Sequence, residues 1–245
     1  MARHVTEMRQ NKDNKKNDFV FALNSINMAD TVVAFMLNLN TKTDVSPRGL
    51  VSLLAFVHDA IFHEYKALMQ KVFKNCLKLL CSFIRENQLL AIQEWPLSVG
   101  GGPSAVNLIS AQVLRIFNLP YSQSQYDKEI ETINNELAKS DIIYVALNVL
   151  KYINKEHIST AISLLSRLVF NSESSKTFAQ QFVNCGGLNC IHKYHLLSEE
   201  NLSILIVDTL SLISQLARIS KDFYEAIHQA NIYVSADEYH NRHEG

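Results

Sequence analysis

Apolar positions recur at helical spacing from near Phe19 onward. Ser46-Pro47 predicts a helix start, because Ser accepts from the free N–H groups of a first turn and Pro fits there. A long apolar-periodic stretch over 50–92 predicts two or three helices, ended by Trp95-Pro96. The pattern resumes over 104–118, with Pro120 as the expected stop. Further helices are expected at 127–139, 141–153, 157–170 and 176–184. Ser198, with Glu199 and Glu200 behind it, caps a last long helix over 199–219. On that helix Leu202, Leu205, Ile206, Leu210, Ile213 and Leu216 share one side, while Ile204, Val207 and Leu212 lie on others. A helix apolar almost all round is expected to be enclosed by neighbours.

The same pattern contains an approximate internal repeat. Ser166-Arg167-Leu168-Val169 precedes Phe178, Phe182, Val183 and Gly186-Gly187; Ser214-Gln215-Leu216-Ala217 precedes Phe223, Ile227, His228 and Asn231. Weaker echoes are Leu80 to Ile84, Leu114-Arg115-Ile116-Phe117 and Leu150 to Ile153. A period of about 40–47 residues in a helical chain is the signature of stacked armadillo or HEAT units, each burying its apolar faces against its neighbours. Gly186-Gly187 supplies the sharp, left-handed turn between units.

Composition narrows the class. The 245 residues include 7 Gly and 4 Pro, against roughly 29 at average usage. None falls between Tyr121 and Cys185, or between Leu188 and Glu244. Sandwiches, barrels and doubly wound sheets need turn residues far more often. The expected fold is therefore all-α: a right-handed solenoid of irregular armadillo/HEAT-like units. Its expected parts are a polar basic leader (1–18), N-terminal helical units (19–98), a Gly-rich hinge (99–104), armadillo-like units (105–233) and a polar tail (234–245). The net charge of −1 offers no field for nucleic acid or an anionic membrane. No signal peptide or membrane span is read, and the four Cys sit outside any disulfide or CxxC pattern, so a cytoplasmic location is expected.

Candidate chemistry is sparse. Cys185, Cys190, His192 and His195 form a Cys/His cluster, but their spacing fits no usual zinc finger. His58-Asp59 with His63-Glu64 suggests a helical metal-dependent hydrolase, though residues five apart share a helix face poorly. Gly100-Gly101-Gly102-Pro103 lacks the Lys and Ser/Thr of a phosphate-binding loop. Asp208 stands alone in a very apolar helix, which suggests a groove or a buried partner. No metal, cofactor or catalytic residue is expected.

The order apolar helix, polar break, Phe178-x-x-x-Phe182-Val183, Gly186-Gly187-Leu188 and buried helix resembles armadillo repeats over about 141–233. Armadillo proteins that bind extended peptides carry a ladder of Asn on the inner helices. Here the matching places hold Ser82, Arg115, Lys151, Arg167 and Gln215, with Arg218 and Lys221 extending the face. Arg115, Lys151 and Arg167 suit an acidic protein partner better than a basic peptide. Leu79-Leu80-Cys81-Ser82-Phe83-Ile84-Arg85-Glu86-Asn87, with the region from Leu164 to Ile232, also resembles the C-terminal regulatory region of Fused-type serine/threonine kinases of Hedgehog signalling. That resemblance implies a kinase domain upstream and docking onto a Costal-type kinesin-like scaffold and Suppressor of Fused. Kinase motifs are absent from these 245 residues, so this chain is expected to bind rather than catalyse. An adaptor with unrelated partners is the alternative.

Overall fold

Residues 22, 24, 26–39, 45–63, 65–122, 126–170, 174–194, 196 and 203–229 are described by a computed structural model of the chain. Among them the structure is helical, with no strand. The helices are α1 (Met28–Leu37), α2 (Pro47–Phe62), α3 (Lys66–Asn75), α4 (Leu77–Phe83), α5 (Glu86–Glu94), α6 (Pro103–Ser122), α7 (Ile130–Ala138), α8 (Ile142–Asn148), α9 (Lys155–Val169), α10 (Ser175–Asn184), α11 (Gly187–Lys193), α12 (Ser203–Ile219) and α13 (Lys221–Gln229). The leader and the polar tail lie outside the described residues, as do Glu64, His195 and the cap at Ser198.

Four long helices form the spine. α2 packs on α6, α6 on α9, and α9 on α12. The first three run the same way. At their N-terminal ends, a Cβ on Gly100, just ahead of α6, would come within 2.9 Å of Arg48 in α2. Asn154, which precedes α9, donates its N–H to Asn107 Oδ1 in α6 at 2.8 Å. At the other end, Tyr126 beyond α6 donates its hydroxyl to the Ile61 carbonyl of α2 at 2.8 Å. Ser166 of α9 meets Ser211 of α12 at 3.5 Å between hydroxyls. Of the shorter helices, α3 packs on α2, α4 and α5 on α6, and α8 and α10 on α9, and one core runs from Ala29 to Ile227.

The repeat read in the sequence has a counterpart in burial. α9 begins at 155 and α12 at 203, the same offset as between Leu168 and Leu216, which are both fully buried. Phe178 and Phe223 also correspond and are buried, and the Phe182 ring meets that of Phe223 edge-on at 5.9 Å. α6 begins at 103, so its Arg115 falls at the place of Arg167 in α9. One stripe recurs at 50, 54, 57 and 61 of α2, at 106, 110, 113 and 117 of α6, and at 158, 162, 165 and 169 of α9, buried each time.

Several boundaries depart from expectation. Ser46 does cap α2, accepting the Gly49 N–H at 3.2 Å. The stretch from 50 to 92, however, forms parts of four helices rather than two or three. Its breaks near Tyr65, Cys76 and Arg85 use neither Gly nor Pro, so composition does not mark them. Pro120 does not stop α6, which continues to Ser122. Its ring sits in the last turn, where its φ is helical and only one backbone donor is lost. α12 is not enclosed: Ile204, Val207 and Leu210 are exposed on it. Its buried set is Leu205, Thr209, Leu212 and Leu216, one narrow stripe.

The Gly-rich segment is a built turn. Gly101 and Gly102 donate their N–H groups to the carbonyls of Pro96 and Ile92 at 3.1 and 3.3 Å. Gly100 and Gly102 have φ of 83° and 87°, a region that favours Gly. A Cβ on Gly101 would lie 2.1 Å from the Trp95 carbonyl oxygen, which is backbone and cannot swing aside. Replacing Gly101 with Ala should therefore lower unfolding stability by about 1–3 kcal/mol, read as a shift of the urea midpoint at unchanged m-value.

Candidate functional site

Asp59, Arg115, Arg167 and Gln215 stand at equal distances from the first described residues of α2, α6, α9 and α12, at 47, 103, 155 and 203; across the α9–α12 contact, however, Arg167 lies near Asp208. Asp59 and Arg115 are exposed, while Arg167 and Gln215 are half-buried. Arg218 lies one turn beyond Gln215 and donates to its Oε1 at 2.6 Å.

Two residues assigned to this line from sequence belong elsewhere. Ser82 sits in α4 and donates its hydroxyl to the Leu79 carbonyl at 2.6 Å. Lys151 sits in the 3-10 turn Val149–Lys151 that follows α8. It pairs with Glu86 at the start of α5, and its ammonium lies 5.0 Å from the Tyr152 ring centre. The hydrogen bond from Lys151 is the main reason the Glu86 carboxyl ionises below its usual range, with Tyr152 assisting; the same bond raises the Lys151 pKa. Their echoes in sequence, Leu80 to Ile84 and Leu150 to Ile153, are helical patterns from return segments. Asp59 was missed because its surroundings carry no repeat signature, although its distance from Pro47 marks it.

Arg167 is the most embedded cation of the line. Its guanidinium donates to the Asn118 carbonyl at 3.4 Å. Asn118 itself ties α6 to α9, donating from Nδ2 to the Leu114 and Thr160 carbonyls at 3.1 and 2.9 Å. The Asn118 Oδ1 is buried with no hydrogen-bond partner. Burial raises the Asp208 pKa, and the positive charge of Arg167 works against that rise. Tyr121 closes the patch, donating to Asn134 Oδ1 at 2.6 Å, and burial drives its pKa well up. Arg167, Asn118 and Tyr121 thus form a polar cluster where α6 meets α9, with Asp208 near Arg167 and Arg115 exposed on α6.

The other clusters read from sequence remain separate. Cys185 and Cys190 are half-buried against the core, while His192 is exposed. Gly186 turns the chain into α11 at φ 75°, and a Cβ on Gly187 would strike the Phe182 ring at 2.2 Å. His58 Nδ1 meets Asp59 Oδ1 at 3.0 Å and its ring stacks on Phe62. Among the described residues no three His, Cys, Asp or Glu side chains are grouped to hold a metal ion. Arg85, Glu86, Asn87, Leu90 and Tyr144 line an open cleft of about 300 Å³. Its charges are already matched, Arg85 with Asp141 and Glu86 with Lys151. No described helix is long and apolar enough to cross a membrane. No protein-family model, curated protein or solved structure matches the chain.

Two predictions follow from these environments. Because the Asp208 pKa is raised on folding, its proton is held more tightly in the folded state, and the ionised form opposes folding. Asp208→Asn should raise the melting temperature at pH 7, and the gain should vanish as pH falls below the ordinary Asp value of 3.8, measured by thermal melts across pH. Cys76 and Cys81 are fully buried, and burial pushes their thiols up to about 11. Both should resist a thiol reagent at neutral pH while Cys185 and Cys190 react, followed by mass spectrometry of the labelled native protein.

Proposed function

We propose that this chain is a non-catalytic protein-binding scaffold, a right-handed solenoid of irregular armadillo- or HEAT-like units. One observation carries the reading. Four long helices pack in chain order, each on the next, and Asp59, Arg115, Arg167 and Gln215 recur at equal distances from their described starts. Successive spine starts at 47, 103, 155 and 203 are 56, 52 and 48 residues apart, longer than the period of about 40–47 for such repeats and closest to it in the last interval. The working surface is the line through Arg115, Arg167, Gln215 and Arg218, with Asn118 and Asp208 beside it. Lys151 contributes less, because Glu86 already neutralises it.

The partner we propose is a protein segment with acidic side chains spaced to meet Arg115 and Arg167 on adjacent helices. A rigid helical frame orders no new backbone on binding, which limits the entropic cost of the contact. In its specific form the chain is the regulatory region of a Fused-type kinase, docking that kinase onto Suppressor of Fused and a Costal-type kinesin-like scaffold. This form rests on the segments Leu79 to Asn87 and Leu164 to Ile232.

Arg115→Glu combined with Arg167→Gln tests the surface; Gln is chosen at 167 to avoid setting a second carboxylate beside Asp208. Affinity for Suppressor of Fused, read by calorimetry, should fall about tenfold or more, with an unchanged helical circular dichroism spectrum. Equal affinity of the variant and the unaltered chain would remove the basic line from the interface. Absence of binding by the unaltered chain to either named partner would remove the Fused-type form.

A further inference from the structure

We draw no further inference here: the strongest candidate, the open cleft lined by Arg85, Glu86, Asn87 and Leu90 at the start of α5 and by Tyr144 of α8, carries nothing, because Asp141 and Lys151 already match its charges from within the chain and nothing in the structure shows what covers its exposed Leu90 and Tyr144.

Discussion

Two helices that lie side by side and run the same way cannot be joined by a tight turn. The chain must first travel back along their length. α2, α6 and α9 are such neighbours, and the connections between them hold α3 to α5 and then α7 and α8. The short helices are thus the return paths that same-direction packing requires. They also supply the second layer against which the spine buries its apolar stripe. A single continuous core results, although the chain has few of the residues that usually punctuate a fold.

The electrostatics of the surface follow from the same constraint. Asp59, Arg115, Arg167 and Gln215 make one line in sequence, at equal distances from their described helix starts. Depth differs along that line. Arg115 stands in water, whereas Arg167 is held by the Asn118 carbonyl and shares its surroundings with Asp208 and Tyr121. Long-range ion pairs sit on the return layer instead. Arg85 with Asp141, Lys151 with Glu86 and Lys66 with Glu129 each join parts of the chain more than fifty residues apart. Exposed pairs of this kind contribute little each; their effect is to fix which return helix faces which.

Much of this architecture was legible in the sequence. The helical class followed from turn-residue scarcity. The Ser46 cap and the Gly186 turn were legible because each depends on local chemistry alone. What escaped depends on tertiary neighbours. Breaks near Tyr65, Cys76 and Arg85 use ordinary residues and are set by packing. Lys151 shares a local pattern with Arg167 but belongs to a return segment, a difference visible only when the helices are placed. The outward side of α12 has the same composition as a buried side, so sequence cannot tell a covered face from an uncovered one. Asp59 shows the converse: its position along α2 matters more than its neighbours in the chain.

The return helices carry a consequence for how the protein is made. α4, α8 and α11 have seven residues each, far below the roughly 12–15 that an isolated helix needs in water. They become helical by docking on their neighbours, α4 on α6, α8 on α9 and α11 on α10. During synthesis, a nascent chain that has not yet reached residue 122 holds α2 with Leu54, Val57 and Ile61 still waiting for α6. α2 therefore matures only after α6 has emerged, and α6 only after α9. Vectorial folding thus moves the unfinished edge from α2 to α6 and then to α9 as synthesis proceeds.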